Sequence, residues 1–168
     1  MDNARNSYVE HLVKRKDPSY WTLLKILSYV LAAAGLLISM STAFGFLLLL
    51  AAAALVYVIH LFSSVEYEYL YIEGSFSVDE VLNRSRRRKL VDTGKDELIL
   101  AAPQNSDAVK EEMRNGGKLT DLSGNCDANR KYVYICQQNG QKKYLLIEMT
   151  DELLRDMRYY SPSKVKTQ

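Results

Sequence analysis

Apolar positions along this 168-residue chain fall into three regimes. Up to Pro18 they are scattered among charges. From about Leu23 to Phe62 they are nearly continuous. From Val65 onward they alternate with polar residues. The middle regime predicts two helices. "LLKILSYVLAAAGLLISM" (23–40) carries one charge, Lys25, and "FGFLLLLAAAALVYVIHLF" (44–62) carries none, with His60 near its end. Each approaches the roughly 20 apolar residues that cross a bilayer. Ser41-Thr42-Ala43 leaves room only for a tight turn, so the helices run antiparallel and both termini lie on one side.

The third regime predicts strands. "VEYEYLYIEG" (65–74) alternates with period two: Tyr67, Tyr69 and Tyr71 on one face, Glu66, Glu68, Leu70 and Ile72 on the other. Glu73-Gly74 makes a turn. "SFSVDEVLN", "RRRKLVD" and "ELILAA", stopped by Pro103, read as three further strands. "SDAVKEEMRNGG" reads as a short helix or loop between a cap at Ser106 and Gly116-Gly117, and "KLTDLSG" as a brief strand. Two alternating runs flank Asn139-Gly140, the preferred type I′ hairpin turn. "TDELLRDMRYYSP" reads as an amphipathic helix with Thr150 as N-cap, acids in its first turn and Pro162 beyond its end. Its apolar stripe is Leu153, Leu154, Met157 and Tyr160.

The predicted fold class is therefore α+β. It comprises a basic N-terminal segment (1–19), a transmembrane hairpin (20–63, helices about 22–41 and 44–62), a soluble domain (64–161) and a disordered tail (162–168). About seven antiparallel strands followed by one helix is the order of a pleckstrin-homology-like (PH-like) barrel closed by its C-terminal helix. The stretch "YEYLYIEGSFSVDEVLNRSRRRKLV", followed by "ELILAAP", resembles a group of uncharacterised bacterial membrane proteins with a two-helix hairpin followed by a bacterial PH-like domain. Their shared pattern is a Y-x-Y-x-Y-x-x-G strand, a basic run and an apolar strand ending near Ala-Pro. The resemblance covers most of the chain from the first span to the C-terminal helix. It implies the barrel and the membrane anchor, and no activity, cofactor or catalytic residue.

Charge refines the topology. The net charge is +2. From Val65 onward there are 17 basic and 17 acidic residues, so the surplus lies in the head, with five basic against three acidic. Lys14, Arg15 and Lys16 precede the first span while the turn is uncharged. The positive-inside rule then places both termini in the cytoplasm of a multi-pass cell-membrane protein. Tyr20 and Trp21 suit the interface, Lys25 snorkels to it, and His60 reaches headgroups from the other helix. Gly35 with Ser39, and Ala51 to Ala54, are small-residue faces. They suit packing within the hairpin and leave a homo-oligomer open.

The strongest candidate chemistry is Arg84, Arg86, Arg87, Arg88 and Lys89. Strand alternation puts Arg86 and Arg88 on one face, Arg87 and Lys89 on the other. The run can be a solvated strand paired with the glutamates of the first strand, a contact for anionic lipid headgroups, or a docking surface for an acidic protein partner. A neutral domain does not suit nucleic acid. Cys126 and Cys136 lack zinc spacing and read as reduced thiols. No metal and no cofactor are expected. With neither His11 nor His60 placed in the soluble domain, no base activates Cys126, and an enzyme is not expected. The sequence points to a membrane protein presenting a cytoplasmic PH-like binding or scaffolding domain. The alternative is an accessory subunit of a larger, transporter-like membrane complex with the hairpin as its interface.

Overall fold

A computed structural model describes residues 8–16, 19–63, 65–83, 85–114 and 116–167. In chain order the elements are β1 (Tyr8–Lys14), α1 (Ser19–Ser39), α2 (Ala43–Ser63), β2 (Val65–Ile72), β3 (Ser75–Leu82), β4 (Arg86–Thr93) and β5 (Leu98–Pro103). There follow α3 (Asp107–Met113), β6 (Leu119–Asp121), a 3-10 turn (Ala128–Arg130), β7 (Lys131–Gln138), β8 (Gln141–Glu148) and α4 (Asp151–Tyr160). The α+β class and the C-terminal helix agree with expectation. The closed barrel does not form. Among the described residues the strands make two four-stranded sheets, ordered β1-β2-β3-β4 and β5-β7-β8-β6. All pairs are antiparallel except β6 with β8.

Tyr8–Lys14 is the main departure. The head of the chain is no separate basic segment: it is an edge strand, paired along its whole length with β2 from Tyr8↔Ile72 to Lys14↔Glu66. Val9 and Val13 are buried in the main core with Tyr69, Phe76, Tyr134 and Ile147. The helical hairpin is thus an insertion in the β1–β2 connection, and the folded domain begins before it. One further ladder bond, from Arg15 N–H to the Val65 carbonyl at 3.0 Å, carries the pairing up to the root of the helices.

The two sheets pack face to face. Phe76 and Tyr134 meet across them at 4.8 Å between ring centroids. Tyr69, 1% exposed, spans the gap by donating its hydroxyl to the Leu122 carbonyl at 2.8 Å. It also accepts from Glu148 N–H at 3.3 Å. The chain crosses between sheets at Gly94–Glu97, where Glu97 N–H bonds to the Gly94 carbonyl. Two-residue turns at Glu73-Gly74 and Asn139-Gly140 hold all four residues at positive φ, as a type I′ turn demands. Thr150 caps α4 by accepting from Leu153 N–H, and Leu153 and Met157 bury its apolar stripe.

The tail is also a correction. Val165 is 4% exposed and sits in the main core. Around it, Ala101 N–H bonds to the Lys164 carbonyl at 2.9 Å and Lys166 N–H to the Ala101 carbonyl at 2.8 Å. The segment 162–167 is therefore laid along the free edge of β5, which its short polar sequence does not announce.

The helices α1 and α2 are long and apolar enough to cross a membrane. They are not the core of a soluble domain, because only 11% and 17% of their most apolar windows is buried. Leu37, Met40 and Phe44 are 70%, 84% and 82% exposed. The two helices pack on each other through buried residues spaced by sevens, the small Ser28 and Gly35 on α1 and Gly45 and Ala52 on α2, with the larger Ile59 completing the α2 row. A Cβ on Gly35 would lie 2.9 Å from the Leu49 backbone nitrogen, so the close approach requires glycine there. Of the two predicted small faces, Gly35 and Ala52 serve this hairpin seam; Ala51, Ala53 and Ala54 remain exposed.

Candidate functional site

The antiparallel ladder brings four chain segments to one end of the first sheet. Lys14 pairs with Glu66, Val65 with Leu82, and Leu82 with Arg86. The β3–β4 turn therefore lies at the end from which the helices leave. Leu61 of α2 lines a cavity of about 290 Å³ together with Leu82, Asn83, Ser85 and Arg86. Arg86 thus sits beside the root of the hairpin, although its sequence distance from it is about 20 residues.

Within the run the structure separates the charges. Register places Arg86 opposite Leu82 and Arg88 opposite Glu80, with Arg87 opposite Val81 and Lys89 opposite Asp79. The Arg87 Nη1 lies 3.1 Å from Glu68 Oε2, joining a 63% exposed guanidinium to a 3% exposed carboxylate. Burial raises the Glu68 carboxyl, and Arg87 offsets this in part. Lys89 Nζ reaches Asp92 Oδ2 at 2.8 Å, both exposed, a pair of small energetic weight. Arg86 and Arg88 are exposed and make no ion pair with a described residue. Arg84 lies outside the described residues. Glutamate pairing with the second strand is thus observed at Arg87. Since β4 is a sheet edge, its cations also resist edge-to-edge association.

A second feature at the same end escaped the sequence reading. Between the outer edge of β1 and the loop after β6 lies a cleft of about 570 Å³. It is lined by His11, Lys14, Arg15 and Lys16 on one side and by Gly124, Asn125, Cys126 and Glu148 on the other. A Cβ on Gly124 would stand 2.6 Å from Val13 Cγ1 and 2.9 Å from the Lys14 carbonyl oxygen, so glycine lets the loop close on β1. His11 belongs to the domain after all. Its Nε2 is 3.9 Å from Glu148 Oε1 and, though buried, makes no hydrogen bond. Arg15 Nη1 stands 3.6 Å from Glu80 Oε1.

The cleft brings Cys126, His11 and Glu148 together, which sequence separation concealed. Its thiol chemistry is subdued. Burial and then the Glu148 carboxylate push the Cys126 thiol up, the reverse of what a nucleophilic thiolate needs. Cys136, buried in β7, is pushed up to about 11 by burial. No group of three or more His, Cys, Asp and Glu among the described residues is placed to hold a metal ion.

At the root of the hairpin, His60 bonds through Nε2 to the Tyr29 hydroxyl at 3.0 Å, tying α2 to α1. Tyr20 and Trp21 stack at the start of α1 with centroids 5.6 Å apart.

Among curated proteins and among solved structures, nothing matches the chain. The family described as "Bacterial PH-like domain (DUF6106)" matches residues 5–167. That span begins ahead of β1 and reaches past Val165, so it treats the hairpin as part of one unit, as the β1–β2 ladder does. The chain belongs to the bacterial PH-like domain family.

Proposed function

We propose that this protein is an integral membrane protein whose PH-like domain is a binding or scaffolding module seated on the cytoplasmic face, its basic end turned to anionic headgroups. The observation that carries the reading is the insertion of the apolar hairpin between β1 and β2. It puts the start of β4, with Arg86 and Arg88 making no ion pair among the described residues, at the end where the helix root lies. Helices of 21 residues span about 31 Å, which suits a hydrocarbon core of roughly 30 Å. Lys14 to Lys16 at the root and no charge at the Met40–Thr42 turn favour both termini inside. Each cation near an anionic leaflet gains about 1 kcal/mol, and attachment of the hairpin through both β1 and β2 keeps the basic end close to it. In this reading the domain binds rather than catalyses, and burial and the Glu148 carboxylate push the Cys126 thiol up, away from a nucleophilic thiolate.

The test uses the whole chain in nanodiscs of neutral or anionic lipid, because a fragment starting at Val65 would lack β1. Amide exchange is measured over residues 82–89. Protection in anionic discs that is lost at high salt and in R86Q/R88Q supports the reading. Equal exchange in both lipids refutes the headgroup contact and leaves Arg86 and Arg88 as a solvated edge or a surface for an acidic partner.

A further inference from the structure

The strand β1 leaves one edge of the first sheet open. In an antiparallel ladder alternate residues bond to the neighbouring strand. Arg15 N–H bonds to the Val65 carbonyl, so the register turns the main chain of Val9, His11 and Val13 toward β2. The N–H and carbonyl groups of Tyr8, Glu10, Leu12 and Lys14 therefore point outward. At the root end the Gly124 loop closes on this edge, against Val13 and the Lys14 carbonyl. Ahead of it, no described residue bonds to the outward main chain of Tyr8, Glu10 or Leu12. The other edges are guarded in ways that discourage strand pairing. Residues 164–166 lie along β5, β4 opens with the cations Arg86 to Lys89, and β6 is only three residues long. Over Tyr8–Leu12, β1 has no proline, no bulge and no cover from a described residue.

The side chains say what kind of strand fits. Tyr8, Glu10 and Leu12 share the outer face of the sheet with Ile72, and Tyr8, Leu12 and Ile72 are exposed. Glu10 sits between the two apolar residues of β1. It accepts from the Tyr8 hydroxyl at 2.6 Å and ion-pairs with no described residue. On the same face Glu68 and Asp79 are cross-strand neighbours, and Glu68 Oε2 and Asp79 Oδ1 are buried without a hydrogen bond. Arg87 serves Glu68, while Lys89 is turned to Asp92. The open edge is thus acidic at its centre and apolar on both sides. A second copy does not suit it. Antiparallel pairing about Glu10 sets two Glu10 carboxylates opposite each other, which destabilises, and a register shifted to bring in Lys14 meets the Gly124 loop.

The geometry points to strand addition at this edge: an extended segment of a partner protein pairs with Tyr8–Leu12 and sets a lysine or arginine opposite Glu10, between apolar residues opposite Tyr8 and Leu12. Main-chain bonds supply affinity in this mode, and the alternate side chains select the partner. The inference rests on reading the domain as a cytoplasmic binding module, and does not use the headgroup contact. Tyr8 lies six residues ahead of Lys14, roughly 20 Å along the strand, so the open edge runs away from the helix root.

The experiment takes the whole chain in neutral-lipid nanodiscs. The probe is the peptide acetyl-Thr-Val-Thr-Arg-Thr-Val-Thr-amide, compared with its counterpart carrying glutamate in place of arginine. Amide exchange is followed along β1. The arginine peptide should saturate. Protection should rise at Tyr8, Glu10 and Leu12 but not at Val9 and His11, whose N–H groups already face β2. The glutamate peptide should bind at least about fivefold more weakly. E10Q should lose most of that preference and E10K should reverse it, while R86Q/R88Q leaves both titrations unchanged. No saturation by the arginine peptide, equal binding of the two peptides, or protection without the alternation overturns the site. Pairing of two copies through β1 in the absence of peptide overturns it as well. Soluble peptides in neutral discs keep the two readings apart. The edge can take the peptide while residues 82–89 gain no protection from anionic lipid, and that protection can arise with the edge unoccupied.

Discussion

Gly124→Ala tests whether the head of the chain is part of the domain. An added Cβ would lie 2.6 Å from Val13 Cγ1 and 2.9 Å from the Lys14 carbonyl oxygen. Val13 is 3% exposed and cannot swing aside, and a backbone oxygen on a paired strand cannot either. Overpacking of this kind costs about 1–3 kcal/mol. Any Gly→Ala change also restricts the unfolded chain, which favours folding by roughly 0.4–1 kcal/mol where the site accepts alanine. Gly94→Ala supplies the control: no atom lies within 4 Å of its added Cβ and its φ is not positive. Both variants share the unfolded-state gain, so their difference isolates the clash. Urea unfolding of the whole chain in micelles, followed by the near-ultraviolet signal of its tyrosines, should place G124A about 1–3 kcal/mol below G94A. Amide exchange should show the loss concentrated in Tyr8–Lys14. Equal stability within about 0.5 kcal/mol, with β1 protection unchanged, would refute the packing of β1 against the loop.

Val165→Ala removes a buried side chain from the supposed tail and should cost about 1.5–3 kcal/mol in the same unfolding assay, whereas a loose tail would register nothing. Glu68 has a raised carboxyl, so its contribution to stability is full below about pH 4.5 and is lost as pH rises through the folded value. Glu68→Gln imitates the protonated acid and should flatten that decline. A pH series of unfolding midpoints with parallel curves for both proteins would contradict the assignment. Alkylation at pH 8 should reach half-buried Cys126 slowly and Cys136 only on unfolding, since both thiols are raised and Cys136 is buried. Prompt labelling of Cys136 in the folded protein would count against its place in β7.

Much of this architecture is written in local pattern. The two apolar runs, the Tyr67-Tyr69-Tyr71 face, the Asn139-Gly140 hairpin and the Thr150-capped helix each rest on contacts within a few residues, and period and propensity report such contacts directly. The alternation that separates Arg86 and Arg88 from Arg87 and Lys89 was legible for the same reason. Three features were not. "YVEHLVK" alternates as a strand should, but its partner β2 follows only after the whole hairpin, and its polar outer face makes it look like a solvated head. "SKVKTQ" carries a single apolar side chain, and only the free edge of β5 gives Val165 a place to bury. The cleft joins residues 11–16 to 124–126 and 148, so no window on the sequence contains it. Local spacing determined the elements, the α+β class and the apolar hairpin. Long-range register decided that the hairpin interrupts the first strand pair, that eight described strands form two sheets rather than one barrel, and that two basic clusters far apart in sequence share one end. A chain's periodicity encodes which face of an element seeks cover; which surface supplies that cover depends on loop closures that its local pattern does not record.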